Sequence, residues 1–264
     1  MSCPICTRPM KVAFAATVLR KYTAKYEVCN ACGFLRVQEP NWLEEAYSSA
    51  IVAADTGIVE RNFSFARKVA GFLYWVKGER GDGLYLDAAG GYGLFTRLMR
   101  DMGFNFYWAD KYCTNVIAPG FEYSLDQGIC KAVTAIEVLE HLVDPVAFIQ
   151  DTLSTTGAQT LLFTTELYQG APPKPVDWWY YTFETGQHIS FFQRRTLEAM
   201  GRRLGLKFSS ANGLHLFSTT PVNENLLKFA TGRLSSGLSP LWIRRGLGSK
   251  AVSDHLLMMK KTSA

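Results

Sequence analysis

The chain has 264 residues, 48% of them hydrophobic, enough to bury a full α/β core and leave a small appendage. Its 28 basic and 23 acidic residues give a net charge of +5, with no block of five or six like charges of the kind that marks a nucleic-acid-binding tail. No apolar run approaches the roughly 20 residues of a membrane span, and Val12 to Leu19 is short and preceded by two cysteines, unlike a signal peptide.

Two C-x-x-C pairs open the chain, Cys3-Pro4-Ile5-Cys6 and Cys29-Asn30-Ala31-Cys32. Each two-residue gap lets a tight turn aim both sulfurs at one ion, so Cys3, Cys6, Cys29 and Cys32 are expected to hold a structural Zn2+ in a closed tetrahedral shell. Unbonded thiols or a redox pair would be the alternatives, but a thioredoxin-like centre needs only one such pair. Metal ligation points to a reducing compartment, so a soluble, cytoplasmic protein is expected. Val12–Arg20 and Tyr22–Val28 have the composition of hairpin strands, which defines a zinc ribbon over residues 1–40.

A short helix is predicted over Trp42–Tyr47 and a longer one over Ile58–Lys77, where Val59, Phe63, Ala66, Ala70 and Leu73 share a face. Beyond these, Leu84–Ala88, Asn105–Ala109, Ala132–Ile136 and Thr160–Thr164 read as strands, with Leu94–Met102 and Pro145–Leu153 as helices between them. That alternation predicts an α/β fold with a mainly parallel, doubly wound sheet over residues 41–264. A helix over Thr196–Leu204, a strand near Lys207–Ser210, an amphipathic helical insert over about residues 222–247 and an apolar run at Leu256–Met259 complete the chain.

Asp87-Ala88-Ala89-Gly90-Gly91-Tyr92-Gly93 passes from a predicted strand into a predicted helix, the setting in which a glycine loop lets backbone approach a ligand. Asp110 ends the next strand, where a carboxylate can accept both hydroxyls of an adenosine ribose. A dehydrogenase would use the same architecture for NAD, but Asp87 beside the loop suits the ammonium of a methionine moiety better than a pyrophosphate.

This loop resembles the D-x-G-x-G-x-G signature of class I S-adenosylmethionine-dependent methyltransferases. Glu137-Val138-Leu139-Glu140-His141-Leu142-Val143-Asp144-Pro145 resembles a stretch of their ubiquinone- and sugar-modifying branches, and the likeness runs over about residues 55–210. It implies a Rossmann-like seven-stranded sheet with the last strand antiparallel, placed at Leu256–Met259. It also implies an S-adenosylmethionine site made by Asp87, Ala89, Gly91, Tyr92, Gly93, Asp110 and Glu137, with Phe121 stacking on the base and Glu122 contacting it. Ala89 stands where the family has its first glycine, a change expected to be harmless if φ is negative there.

His141 and His188 are the histidines placed to deprotonate an alcohol acceptor. In sugar methyltransferases that also carry N-terminal zinc ribbons, a histidine matching His141 lies near the reacting centre; helix capping is the other role open to it. His188 lies in a segment, Trp178-Trp179-Tyr180-Tyr181 to Gly186-Gln187-His188, that resembles bacterial methyltransferases associated with surface-polysaccharide synthesis. Trp178, Trp179, Tyr180, Tyr181 and Gln187 are the expected substrate contacts, since aromatic faces pack on sugar C–H bonds and polar groups bond to hydroxyls; covering the core would be the competing use of the rings. The expected activity is O-methylation of a sugar, nucleotide sugar or glycan. RNA base methylation is the alternative, although nucleic acid is an unexpected partner without a basic stripe, and a non-catalytic cofactor-binding scaffold is another. The insert leaves a homodimer interface and a membrane-surface contact equally open.

Overall fold

The structure, a computed structural model, describes residues 1–48 and 55–262. An N-terminal hairpin, β1 (Lys11–Val18) and β2 (Tyr22–Val28), pairs antiparallel and is followed by β3 (Leu35–Val37) on the far side of β2. A single turn of helix, α1 (Leu43–Ala46), and α2 (Ile58–Gly71) follow, the latter running on through a wider π-type turn to Val76.

Next come β4 (Leu84–Ala88), α3 (Leu94–Asp101), β5 (Asn105–Ala109), β6 (Cys130–Ala135), α4 (Pro145–Thr156) and β7 (Thr160–Phe163). Boundaries follow local chemistry. Asp144 caps α4 by accepting from the amides of Val146 and Ala147 at 3.1 and 3.0 Å, Pro145 supplies the first turn, and Gly157 ends the helix at φ +66°. The two-residue β8 (Ser190–Phe191), α5 (Arg194–Leu204), β9 (Lys207–Ala211) and β10 (Leu214–Ser218) complete the strands. Three helices end the chain: α6 (Glu224–Ala230), α7 (Arg233–Leu247) and α8 (Ala251–Thr262).

The central sheet has the order β5-β4-β6-β7-β10-β9, with β5, β4, β6 and β7 parallel. β10 runs antiparallel to both neighbours. The expectation of seven strands with the last one antiparallel is therefore corrected in two respects. Among the described residues the sheet has six strands, because the stretch beyond β5 touches it only at one parallel bridge, Trp108 to Glu122, where the Trp108 amide donates to Phe121 and its carbonyl accepts from Tyr123, both at 2.8 Å. The antiparallel strand is Leu214–Ser218, and Leu256–Met259 is helical, within α8.

α4 and α5 cover one face of the sheet with a core that includes Val133, Leu161, Phe163, Leu197 and Met200. α2, α3, α6 and α7 cover the other around Val69, Phe72, Met99, Leu162 and Ile243. Covered on both faces, β7 is buried at every position, as a central parallel strand requires.

The ribbon is fused to this body. β3 pairs with β8 through Leu35–Phe191 and Arg36–Ser190, so a strand from late in the chain completes the N-terminal sheet.

Candidate active site

The loop after β4 lies at the carboxyl edge of the sheet and is held from beneath. Asp87 is 1% exposed, and its carboxylate accepts from the Thr96 and Thr134 hydroxyls at 3.1 and 3.0 Å. Burial pushes Asp87 up to about 7 even though those hydroxyls favour the anion. The carboxylate therefore sits beneath the loop, with the two threonine hydroxyls as partners.

Above it the chain turns through left-handed backbone at Ala89 (φ +57°), Gly91 (+55°) and Gly93 (+87°). A Cβ on Gly93 would lie 2.3 Å from Asn115 Oδ1, so close approach as well as conformation demands glycine there. Ala89 is the exception, since the negative φ expected of it is not found. An L-residue in this region costs roughly 1–2 kcal/mol. Ala89 is exposed and loses no packing on substitution. We expect Ala89→Gly to raise stability by about 1 kcal/mol, once glycine's larger unfolded-state entropy is subtracted, read as an upward shift of thermal midpoint of roughly 2–4 °C. A lowered midpoint would show that the turn is not strained.

Asp110, one residue past β5, clamps the loop. One oxygen accepts from the Gly91 amide at 2.9 Å and the other from the amides of Tyr112 and Cys113 at 2.7 and 2.8 Å. The indole N–H of Trp108 donates to the Gly91 carbonyl at 2.9 Å, and the exposed Tyr92 receives the amides of Val116 and Ile117 on its carbonyl. Phe121 does not line this loop: it is buried, with the Arg100 guanidinium 3.6 Å over its ring. One face of the Phe121 ring thus carries a cation–π contact. Glu122 accepts from Asn115 and the Gly120 amide, closing its own turn.

The two histidines, far apart in sequence, meet. The Ile189 amide donates to the Glu140 carbonyl at 2.8 Å and Ser190 Oγ to the Leu142 carbonyl at 2.7 Å, laying one segment beside the other. The rings of His141 and His188 are then edge to face, 4.8 Å between centroids. Burial pushes His141 down to about 3 and His188 down to about 4, so both are neutral at physiological pH.

Their hydrogen bonds separate their roles. His141 holds its proton against the Gln187 carbonyl, while its Nδ1 accepts from the Tyr47 hydroxyl at 3.0 Å. His188 donates from Nδ1 to the Tyr180 carbonyl at 2.7 Å, which leaves the lone pair on Nε2. No partner meets that Nε2 among the described residues.

Beneath them, Tyr180 donates to Glu140 Oε1 at 2.7 Å and accepts from the Glu166 amide at 3.1 Å. Burial and the neighbouring Glu137 carboxylate push Glu140 up to about 8, so it keeps its proton at neutral pH. Its Oε2 is buried with no hydrogen-bond partner among the described residues, an arrangement far less costly for the neutral acid than for an anion. Glu137 stands at φ +55°, pinned by the Thr164 hydroxyl, which receives its amide at 2.8 Å and donates to its carboxylate at 2.6 Å.

Two features escaped the sequence reading. Tyr47 stacks on Tyr112 at 5.4 Å and so joins the Asp110 turn to His141. Arg61 grips both oxygens of Asp55 at 2.7 Å, and this ion pair lies near enough to His188 to act on its charge. The only signals were an aromatic residue ending one predicted helix and charged residues around the start of the next.

Most of the residues expected to contact substrate are packed into the fold. Tyr181 is 1% exposed, its hydroxyl donates to the Pro173 carbonyl at 2.8 Å, and it packs with Trp178 against Tyr26 and Phe191. Gln187 is buried and donates to the Ala46 carbonyl at 2.9 Å. These residues fill the seam between ribbon and sheet, where aromatic rings bury the most area per residue. Trp179, 74% exposed, is the one open ring of the group, and Tyr180 meets the site through its hydroxyl.

The four ribbon cysteines converge as expected: Cys3 and Cys32 sulfurs are 3.6 Å apart, Cys6 and Cys29 3.4 Å, and all four lie within 4.8 Å of one another. A tetrahedron with Zn–S bonds of about 2.3 Å has sulfurs about 3.8 Å apart, so the cluster fits. The Ile5 amide points at Cys3 Sγ at 3.4 Å, which suits a thiolate.

A doubly wound sheet carrying a glycine loop clamped by an acid on the next strand is a nucleotide-cofactor enzyme of the Rossmann-like class. The sequence profile of the methyltransferase-domain family matches residues 62–211, and the chain belongs to that family: it is an S-adenosylmethionine-dependent methyltransferase. No curated protein matches the sequence. Among solved structures, the chain is similar to magnesium protoporphyrin IX methyltransferase from Synechocystis PCC 6803 with bound SAH, at 14% identity over 66% of this chain and 90% of that one, TM-score 0.43. It is similar to an O-methyltransferase family 2 protein from Planctomyces limnophilus in complex with apigenin, at 14% identity over 67% and 65%, TM-score 0.44. CalO1, a methyltransferase of calicheamicin biosynthesis, matches at 13% identity and TM-score 0.39 over 58% of this chain, which spans 54% of CalO1.

Proposed function

We propose that the chain O-methylates a hydroxyl of a sugar, nucleotide sugar or glycan, with His188 as the general base and a structural zinc in the ribbon. The observation that carries this reading is the line from Asp110 through the stacked Tyr112 and Tyr47 to His141 and His188, which brings the loop that would hold the cofactor to a neutral imidazole with an available Nε2. Gly91, Gly93 and Asp110 would cradle the cofactor, with Ala89 and Tyr92 on the loop's rim, Glu137 at the end of the neighbouring strand and Asp87 acting through the loop it supports. S-adenosylmethionine, when bound, supplies a methyl group made electrophilic by its sulfonium.

His188 Nε2 takes the acceptor's hydroxyl proton, and the Tyr180 carbonyl, bound to Nδ1, stabilises the imidazolium that results. Protonated Glu140, and Arg61 paired to Asp55, limit the negative charge that would hold that proton on the ring. Trp179 beside Asp177 offers a ring face and a carboxylate to a polyhydroxylated acceptor.

The test is methyl transfer from labelled S-adenosylmethionine to nucleotide sugars and glycan fragments, with RNA as the comparison. Label in RNA alone overturns the acceptor assignment. Asp110→Ala is expected to weaken S-adenosylhomocysteine binding by roughly 1.5–3 kcal/mol, as for hydrogen bonds to a charged group. Calorimetric titration checks it, and wild-type affinity in this variant would place the ribose elsewhere.

A further inference from the structure

α7 is an inside-out helix. It docks along α2 with Ser236, Ser239 and Ile243, which lie on one side of the helix and are buried. Both serines are satisfied there: Ser236 donates to the Gly232 carbonyl at 2.8 Å, and Ser239 accepts from the Trp75 indole at 3.0 Å. The opposite side presents Leu234 (82% exposed), Leu238, Leu241 and Trp242 (63% exposed), the i, i+4, i+7, i+8 pattern that normally faces a core.

α8 repeats the arrangement. It is tied to α3 by the buried Asp254, which takes the Arg100 guanidinium at 2.7 and 2.8 Å and Arg97 at 2.8 Å, while Val252, Leu256 and Met259 are exposed along its outer side. Among the described residues Leu234, Leu238, Leu241, Trp242, Val252 and Leu256 stay exposed, and an apolar face of this extent marks a contact with something else.

Charge identifies the partner. Residues 223–262 hold seven lysines and arginines against two acidic residues, so the chain's whole excess of +5 resides in them. Both acids are already paired, Asp254 with Arg97 and Arg100, and Glu224 with Arg194. A second copy docked by twofold symmetry would set this unbalanced positive surface against itself. We infer that α7 and α8 form a binding surface for an anionic lipid bilayer, their leucines and Trp242 entering the headgroup boundary and Arg233, Arg244, Arg245, Lys260 and Lys261 meeting lipid phosphates.

The test is co-sedimentation of the zinc-loaded full chain with vesicles of phosphatidylcholine alone or with about a third phosphatidylglycerol. Binding to the anionic vesicles, weakened by salt, is expected. Arg244→Ala with Arg245→Ala should lower it by about fivefold per arginine removed, and Leu238→Glu with Leu241→Glu should abolish it. All four side chains are exposed, so unchanged thermal unfolding is the control for folding. Equal binding to neutral vesicles, or no binding to either, overturns the inference. A dimeric mass by light scattering that Leu238→Glu with Leu241→Glu converts to monomer assigns the face to a second copy instead.

Discussion

His188→Ala is expected to lower kcat by about two to four orders of magnitude while leaving S-adenosylhomocysteine affinity and the melting temperature close to wild type. The general base is lost, yet among the described residues the ring makes only one hydrogen bond to the fold, to the Tyr180 carbonyl. The pH profile separates this role from a positional one. A base acts in its neutral form, and burial depresses His188 to about 4. Wild-type turnover should therefore hold as pH falls through 6.5, where an ordinary imidazole titrates, and decline only as pH approaches about 4. His141, Tyr180, Asp55 and Arg61 surround the ring; the Tyr180 carbonyl and Asp55 push its pKa up and Arg61 pushes it down, but burial outweighs them all, and His141 is itself held lower still, at about 3. Turnover unchanged in His188→Ala, or an acid limb near 6.5 in the wild type, removes His188 from the chemistry. His141→Ala should instead act through Tyr47, which loses its acceptor, and so disturb the Tyr112 turn beside Asp110.

Stripping the zinc proposed for the ribbon, by chelation or by Cys32→Ser, is expected to lower the melting temperature by about 10 °C or more. Structural zinc contributes about 10 kcal/mol in small domains, and roughly 4 kcal/mol of it suffices for such a shift in a chain of this size. The loss should reach activity as well. Cys32 carries the carbonyl that anchors Thr196 at 2.8 Å, and β3 holds β8, whose first residue lies two positions beyond His188. Zinc content and melting curves measured on one preparation check both effects. A metal-free protein with native melting and turnover would show that the sulfurs serve another purpose.

The sheet was largely legible because its strands are short apolar runs bounded by glycine and acidic residues. Leu84–Ala88 and Asn105–Ala109 were read at their observed limits. Leu256–Met259 was misread because four apolar residues contain no full period: with Val252 included, Val252, Leu256 and Met259 fall at helical spacing. Leu214–Ser218 was missed for the opposite reason, a wholly buried strand with a histidine inside and no alternation to reveal it. The glycine loop and the four cysteines were legible because backbone conformation and metal geometry constrain spacing along the chain. The seam aromatics were not, since a tyrosine that packs and a tyrosine that binds have the same composition. Tyr47, Asp55 and Arg61 reach the site from another segment altogether, and no local spacing encodes that approach.

Because β8 is the fourth strand of the N-terminal sheet, the order of synthesis and the order of folding diverge. The four ribbon cysteines are made within the first 32 residues and would be able to collect the proposed zinc early, but the sheet they belong to stays open at the β3 edge until Ser190 and Phe191 emerge. An unpaired edge of this kind is exposed throughout translation of the catalytic core. Assembly then includes a long-range closure that joins the His188 segment to the ribbon, so a nascent chain released before that strand would carry the four ribbon cysteines without the histidine pair.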